Sequence, residues 1–209
     1  MQDYSIDIEE RVVFSENQRY EILDGKIYYM AGASTGHNYT SGNIFTIFKN
    51  FLKGKKCKVF GENEKIVFKR NFREYLPDIK IVCDPNKIKP DGIHGAPDLI
   101  IEILSPRTEK NDKGYKFKVY EQNGVKEYWI VDINKKNIEV YLLKEDGRFE
   151  LDEIYHHYSD EEINEIEEYE IETEDVKAQK ELVKIKTMET SLFGSELIIN
   201  IADIFENID

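Results

Sequence analysis

The segment GAPDLIIEILSPRT, residues 95–108, limits the fold more than any other part of the chain. Its centre is as apolar as a buried β-strand, yet it contains two acids, Asp98 and Glu102. Because side chains alternate between the two faces of a strand, a strand over residues 98–104 carries both acids on one face. The other face carries only apolar side chains, so the sequence predicts a buried strand with carboxylates on one side.

A buried carboxylate needs a compensating partner, because an unpaired one is costly and shifts its pKa rather than staying charged. A hard divalent cation is an economical partner, since Mg²⁺ takes one or two carboxylates and keeps water and phosphate oxygens as its other ligands. Asp98 and Glu102 lie about 13 Å apart along one strand, which is too far to share an ion. The preceding predicted strand is opened by Pro77, and its Asp78 shares a face with Lys80 and Val82. We therefore expect Asp78 and Glu102 to bind the ion if their strands are neighbours.

Each acid also has a simpler explanation. Asp98 follows Pro97, and a carboxylate at a strand end is usually a surface residue or a turn former. The same holds for Asp78. Glu102 is flanked by apolar residues on both sides, and the main alternative for it is a structural ion pair with an Arg or a Lys.

Length and charge bound the class of protein. The 209 residues are enough for one domain that buries a real core. The net charge of −13 is unevenly distributed: residues 1–126 hold 21 Lys and Arg against 18 Asp and Glu, and residues 127–209 hold 8 against 24. Nucleic-acid-binding domains usually carry a basic surface, so the charge argues weakly against such a function.

The two cysteines and the N-terminal segment predict a cytoplasmic protein. Cys57 and Cys83 are not in a C-x-x-C pair, and we expect both to be reduced core thiols. The first residues, MQDYSIDIEERVVF, are acidic and lack the apolar segment of a signal peptide. No apolar run approaches the ~20 residues that cross a bilayer, so we expect no membrane association.

Periodicity and turn signals predict an α/β layer with a mixed central sheet. Residues 20–30 alternate about Asp24-Gly25, a strong hairpin signal. Apolar residues at helical spacing predict a helix that Gly54 can end; they are Ile44, Phe45, Ile47, Phe48, Phe51 and Leu52. The other elements are strands in CKVFGENEKIVFKR, LPDIKIVC, KEYWIVDI, NIEVYLL and residues 149–154, a helix in EKNDKGYKFKVYEQNG closed by Gly124, and closing strands in ELVKIKTM and ELIINIADIF.

The segment 158–176 differs from the rest of the chain, since it holds ten acids and no base. It is predicted as a solvated helix, a ragged strand or a mobile insertion. We expect a single domain over residues 1–209 with an acidic insertion at about 156–181.

A series of motifs resembles the Uma-two family, whose members are described as restriction endonucleases. The motifs are YEILDGKIYYMAGAS followed by His37, PDIKIV, APDLIIEILSPRT, DKGYKFKVYEQNGVKEYWIVD and the closing IADIF. The resemblance covers nearly all of residues 18–155 and resumes near 182–205. It implies the restriction-endonuclease-like fold of the PD-(D/E)xK nuclease superfamily, with a mixed central sheet flanked by helices, an N-terminal hairpin and C-terminal strands.

The resemblance also implies the site residues. Asp78 and Glu102 would be the metal-binding acids, and a lysine usually stands two residues after the Glu. That position holds Leu104 here, so the site is similar to a migrated version in which a lysine of the next helix fills the role. Lys116 matches this lysine, and Lys113 is the second choice.

Further positions match the family pattern. Tyr120 follows Lys116 at i+4 and lies on the same helical face, although it could be only a core aromatic. Glu21 and His37 recur in the pattern, and His37 could instead be a first-turn residue that bonds locally. Asp98 or Glu21 is expected to complete a ligand shell or to align Lys116.

The expected function is hydrolysis of DNA phosphodiester bonds with Mg²⁺ or Mn²⁺, and the resemblance makes a homodimer an expectation. Lysines in KNFLKGKKCK and EKNDKGYKFK could line a DNA track, although most of them are expected to be solvated. The first alternative is a nuclease-fold module that binds DNA or a protein partner with little or no cutting. The second is a two-carboxylate glycosidase, for which the sequence lacks an aromatic sugar cleft.

Overall fold

The computed structural model describes residues 20–23, 26–29, 32–68, 73–106, 108–169 and 173–208. The strands are β1 (Tyr20–Leu23), β2 (Lys26–Tyr29), β3 (Lys58–Phe60), β4 (Ile66–Phe68), β5 (Arg73–Tyr75), β6 (Ile79–Val82), β7 (Ile88–Lys89), β8 (Gly92–His94), β9 (Leu99–Ile103), β10 (Glu127–Asp132), β11 (Asn137–Leu143), β12 (Phe149–His156), β13 (Thr187–Glu189) and β14 (Ile198–Asn200). The α-helices are α1 (Thr35–Phe51), α2 (Phe117–Asn123), α3 (Asp160–Glu167), α4 (Glu174–Leu182) and α5 (Ile201–Ile204), and a π-helical segment (Asn111–Lys116) leads into α2.

The central sheet is mixed, as predicted. Its strand order is β12-β11-β10-β9-β6-β3. Only β9 and β10 pair in parallel among these neighbours, and the connection between them is the π-helical segment with α2. A parallel pair needs such a crossover, and strands covered on both faces read as continuous apolar runs. Both strands are buried along their whole length.

A hydrophobic core lies on each face of this sheet. On one face Ile101 and Trp129 pack with Ile44 and Phe48 of α1. On the other face the core holds Ile100, Tyr128 and Ile130 of the sheet with Val119 and Tyr120 of α2. The alternation predicted for residues 98–104 is therefore confirmed.

A second sheet has the order β2-β1-β5-β4-β8-β7, and β13 pairs with β14 separately. The predicted N-terminal hairpin is confirmed, because β1 and β2 are antiparallel with Leu23 opposite Lys26. Its turn residues Asp24 and Gly25 and the last predicted residue, Met30, lie outside the described part of the chain.

The main helices begin and end where local chemistry requires. Ser34 caps α1 by accepting a hydrogen bond from the His37 backbone N–H at 3.2 Å. Gly124 follows α2 with φ +83°, a left-handed conformation that ends a helix and favours glycine. The predicted helix over EKNDKGYKFKVYEQNG is confirmed, but its first part is π-helical, which the sequence did not indicate.

Two strand predictions were wrong in extent. CKVFGENEKIVFKR forms β3 and β4 in different sheets, because a turn closed by the Glu64 N–H and the Gly61 carbonyl at 3.2 Å separates them. The residues ELV of ELVKIKTM belong to α4 and its end, and only β13 is a strand there.

The acidic segment forms two helices rather than a strand. Ser159 and Glu162 make a capping box at the start of α3, and Thr173 caps α4. Acids fill the first turn of each helix, where the helix dipole favours negative charge.

The prediction of reduced cysteines was wrong, since Cys57 and Cys83 form a disulfide. β3 and β6 are antiparallel with Lys58 opposite Val82, so the two cysteines meet at the next position of the same register. Spacing along the sequence gave no sign of this pairing. In the described part of the chain, no helix has the length and apolar character that a bilayer crossing needs.

Candidate active site

Strand register brings Asp78 to Glu102. β6 and β9 are antiparallel neighbours with Ile79 opposite Ile101, and the next position in that register sets Asp78 beside Glu102. The Asp78 carboxylate accepts a hydrogen bond from the Ile103 backbone N–H at 2.7 Å. Both acids are buried, with 6% and 3% of their surface exposed. The expected adjacency of the two strands is therefore confirmed.

Lys116 reaches these acids from the helical side. Its ammonium lies 3.0 Å from Oε1 of Glu102, 3.0 Å from Oε1 of Glu21 and 3.3 Å from Oδ1 of Asp112. The lysine side chain is only 4% exposed. The Tyr120 hydroxyl donates to the same Glu102 oxygen at 2.7 Å. Glu102 thus accepts two bonds from one helical face.

The helical segment presents these groups together because of their spacing. Asp112, Lys116 and Tyr120 follow at intervals of four residues, which places them on one side of a helix. The Tyr128 hydroxyl of β10 donates to the Asp112 carbonyl at 3.1 Å inside the π-helical segment. π-Helical turns often occur at functional sites.

Glu21 connects the N-terminal hairpin to the site. Its Oε1 accepts from the Leu76 backbone N–H at 3.0 Å as well as from Lys116. Leu76 stands two residues before Asp78, so Glu21 fixes the chain that leads into β6. The expectation that Glu21 aligns Lys116 agrees with this contact.

His37 contacts Asp78 from the first turn of α1. Its Nε2 lies 3.3 Å from Oδ1 of Asp78, and both side chains are buried. Together with the Ile103 N–H, this contact holds both oxygens of the Asp78 carboxylate in fixed positions.

A second buried lysine, Lys80, follows Asp78 by two residues and lies on the same face of the strand. Its side chain is fully buried, and its ammonium donates to the Pro77 carbonyl at 2.7 Å. Burial lowers the pKa of Lys80 to about 7, against the opposing effect of the Glu102, Asp78 and Glu64 carboxylates. The sequence placed this lysine on the right face but indicated no role for it.

The site holds more buried carboxylates than buried cations. Burial alone lowers the pKa of Lys116, but the carboxylates of Glu102, Glu21, Asp112 and Asp78 outweigh burial and raise that pKa well above its ordinary value. Lys116 is therefore a permanent cation. Burial raises the pKa of Glu102 well above its ordinary value. The Lys116 ammonium lowers this pKa, whereas the carboxylates of Asp112, Asp78 and Glu21 raise it further. Three of the four acids pair with the one Lys116 ammonium, so the cluster has an excess of carboxyl groups over ammonium groups.

This excess suits a hard cation, although the acids do not form a complete metal cage. Among the residues with described positions, no group of three or more His, Cys, Asp or Glu side chains could hold a metal ion by itself. The Lys116 ammonium lies 3.0 Å from both Glu21 and Glu102, so Glu21 faces a lysine at this position. Two carboxylates remain as the available set, and Mg²⁺ needs only one or two.

Two predicted site residues lie elsewhere. Asp98 accepts from the Cys83 N–H and from the Lys126 ammonium, each at 2.7 Å, at the other end of β9. Lys113 points to Glu139, with a distance of 2.8 Å between ammonium and carboxylate. The structure therefore brings Asp78, Glu102, Lys116, Glu21, His37 and Tyr120 together, and it leaves Asp98 and Lys113 outside.

Asp112 and Lys80 are part of the cluster but were not among the residues selected from the sequence. Asp112 is 1% exposed, and its i,i+4 spacing to Lys116 was a usable signal. Lys80 is two residues after Asp78 and therefore on the same strand face.

A mixed sheet with an acid–lysine cluster at the ends of β6 and β9 defines a restriction-endonuclease-like protein. A sequence model described as "Uma2: Putative restriction endonuclease" matches residues 2–174. The chain is 34% identical over 142 residues to the uncharacterized protein slr1290 of Synechocystis sp., which covers 66% of this chain and 75% of that protein. The uncharacterized protein sll1609 of the same organism is 24% identical over 140 residues, or 66% and 79% of the two chains.

A solved structure shares the fold. The crystal structure of "a putative nuclease belonging to DUF820" from Anabaena variabilis matches with a TM-score of 0.63 at 19% identity, over 89% of each chain. The family match spans most of the sequence, and the chain belongs to the Uma2 family.

The placement of Asp98 predicts a structural role for this acid. Burial alone raises the pKa of Asp98, but bonds from Lys126 and the Cys83 N–H outweigh it and lower that pKa below its ordinary value. A depressed carboxyl pKa stabilises the fold above the unfolded-state pKa, and this stability is lost as pH falls through the folded-state pKa. Asp98→Asn should therefore lower the free energy of unfolding by about 1–3 kcal/mol at pH 7.

Urea unfolding at several pH values measures this effect, and the difference from wild type should shrink below about pH 4. The control Lys126→Met removes only the charge of a side chain that is 65% exposed, and it should cost less than about 1 kcal/mol. An Asp98→Asn protein with the free energy of unfolding of wild type at pH 7 would contradict the structural role.

Proposed function

We propose that this chain is a metal-dependent endonuclease that hydrolyses DNA phosphodiester bonds at the Asp78–Glu102–Lys116 cluster. The observation that carries the proposal is the buried Lys116 ammonium, which is shared among Glu102, Glu21 and Asp112 beside Asp78. The description of the family as restriction endonucleases and the nuclease description of the Anabaena neighbour support the reaction class.

Asp78 and Glu102 would hold the Mg²⁺ or Mn²⁺ ion. Their oxygens are hard donors, and the excess of carboxyl groups in the cluster favours the binding of a divalent cation. A bound ion of this kind polarises a scissile phosphate and lowers the pKa of a bound water. The Ile103 N–H and His37 keep the Asp78 carboxylate in place for this role.

Lys116 supplies the fixed positive charge of the reaction. It stays protonated, so it can stabilise negative charge that develops on the phosphate without a proton transfer. Glu21 and Asp112 hold its ammonium, and Tyr120 fixes the orientation of Glu102. The position two residues after Glu102 holds Leu104, which is buried in the core under this face. A lysine from the helix therefore does what a strand lysine would do.

The proposal includes three further statements: the substrate is DNA, the protein forms a homodimer, and it is located in the cytoplasm. The cysteines no longer favour a cytoplasmic location, because disulfides such as Cys57–Cys83 are rare in the cytosol. The lysine-rich segments around α1 and the π-helical segment are the expected track for the phosphates, and affinity for DNA should fall as salt increases.

The alternative is a nuclease-fold module that binds DNA or a protein partner without cutting. The net charge of −13 favours it. The described residues also contain no group of three His, Cys, Asp or Glu side chains that could hold a metal ion, and this favours the same alternative. Cleavage assays on matched variants separate the two functions.

Glu102→Gln should abolish cleavage of supercoiled plasmid in Mg²⁺ or Mn²⁺, because the amide keeps the shape of the side chain but loses the metal-binding charge. Glu139→Gln is a matched control. Glu102 and Glu139 flank Ile130 in one row across the sheet, and each bonds to a lysine of the same helical segment. The control should cut like wild type. Equal cutting by the Glu102 variant would remove this residue from catalysis, and an inactive wild type would favour the binding module.

Lys116→Gln should reduce the cleavage rate by about 10²–10³-fold, the usual effect of removing one preorganised donor. Lys113→Gln should retain nearly full activity, since Lys113 bonds to Glu139 outside the cluster. Both proteins are compared at a temperature at which circular dichroism shows them folded. The Lys116 variant should also be about 3–5 kcal/mol less stable in urea, because its buried acids lose their cation. A Lys113 variant with the larger activity loss would reverse the assignment.

A further inference from the structure

An open pocket of about 530 Å³ lies between the first half of α1 and the loop that joins β3 to β4. Its walls include Phe45, Phe60, Asn38, Asn63 and Glu62. The volume falls within the usual range for small-ligand sites, roughly 300–1,000 Å³. Asp78, Glu102, Lys116, Glu21, His37 and Tyr120 do not line it.

The pocket adjoins the catalytic cluster. Asn38 directly follows His37, which contacts Asp78. Phe60 stands opposite Lys80 in the β3–β6 pairing, so the end of β3 lies beside the start of β6, where Asp78 is found. Glu64, another wall residue, interacts electrostatically with Lys80. The pocket therefore lies on the side of the cluster that α1 and β3 form.

A glycine inside α1 forms part of the pocket wall. Gly42 lies in the middle of a long helix, where glycine is less favourable than alanine. A Cβ at this position would meet no heavy atom within 4 Å, so contact with the described residues does not require glycine here. The space that a side chain would occupy belongs to the pocket.

The chemistry of the walls fits a nucleobase. The Phe45 and Phe60 rings offer aromatic surfaces, on which bases stack irrespective of sequence. Amides such as Asn38 and Asn63 can pair with donor and acceptor atoms of a base edge, and a carboxylate such as Glu62 accepts from an exocyclic amino group. Two acids in the wall, Glu62 and Glu64, disfavour a phosphate inside the pocket.

We propose that this pocket receives one unstacked base of the DNA strand next to the bond cut at the cluster. This inference rests on the proposed function and deepens it by naming the substrate class. A base in a duplex reaches such a pocket only by leaving the stack, and an unpaired base does so at least cost. The preferred substrate is therefore single-stranded or locally unpaired DNA.

The test fills the pocket from Gly42. Gly42→Leu places an aliphatic side chain in the open space and favours the helix. Asn50→Leu is the matched control, because Asn50 is an exposed residue of the same helix and does not line the pocket. Fluorescence anisotropy with a labelled oligonucleotide in Ca²⁺ gives the affinities, and circular dichroism verifies the fold of each variant.

Wild type should bind the single strand at least about tenfold more tightly than the duplex, as stacking of one base allows. Gly42→Leu should lose about tenfold in single-strand affinity, and Asn50→Leu should lose none. Asn63→Ala, an exposed loop substitution, provides a second variant with an expected loss in the same direction. Equal binding of the two DNA forms by wild type, or unchanged binding by both pocket variants, would overturn the proposal.

Two further arms identify the ligand and separate the claims. Deoxynucleoside monophosphates should compete only at millimolar concentration; displacement at micromolar concentration would assign the pocket to a free nucleotide and overturn the proposal for a DNA strand. Plasmid cleavage by wild type tests the function independently. Cleavage by wild type together with unchanged binding by both pocket variants overturns only the pocket assignment. Weaker binding by the pocket variants without any cleavage by wild type overturns only the nuclease.

Discussion

The ion pairs of the Lys116 ammonium hold the site and the fold together. They connect Glu21 of β1, Glu102 of β9 and Asp112 of the π-helical segment through one buried nitrogen. Removing one partner from such a cluster leaves a buried charge uncompensated, at a cost of several kcal/mol. The N-terminal hairpin, the central sheet and the crossover helix are therefore fixed relative to one another by the same contacts that position the chemistry.

Much of this arrangement follows from the sequence by geometry. Alternation along residues 98–104 placed Glu102 on a buried face, and a spacing of four residues put Lys116 and Tyr120 on one side of a helix. The pairing of Asp78 with Glu102 was an expectation that depended on the two strands being neighbours, and the family resemblance supplied Lys116, Glu21 and His37 as site residues. The buried face of Glu102 depends on local periodicity and is confirmed, and the pairing of β6 with β9 confirms that the two strands are neighbours. The catalytic roles of these residues stay predictions.

The remaining features depend on register and long-range contacts, which a single sequence does not contain. Asp98 shares a face with Glu102, but the Lys126 ammonium and the Cys83 N–H take up its carboxylate at the far end of the strand. The disulfide forms because antiparallel pairing sets Cys57 opposite Cys83. The charge balance of the cluster could not be predicted from the sequence either, because the burial of Lys80 depends on how the sheet packs against its neighbours.

The central claim is that Asp78 and Glu102 jointly bind a divalent cation beside Lys116. Anomalous diffraction from crystals soaked in Mn²⁺ tests it most directly. The account predicts one strong peak in contact with a carboxylate oxygen of each acid, at about 2.0–2.2 Å as for a small hard cation, and no such peak in crystals of Asp78→Asn. Mn²⁺ bound elsewhere, or no ion at these carboxylates at millimolar concentration, would contradict the metal-dependent mechanism and leave a folded module without a metal centre.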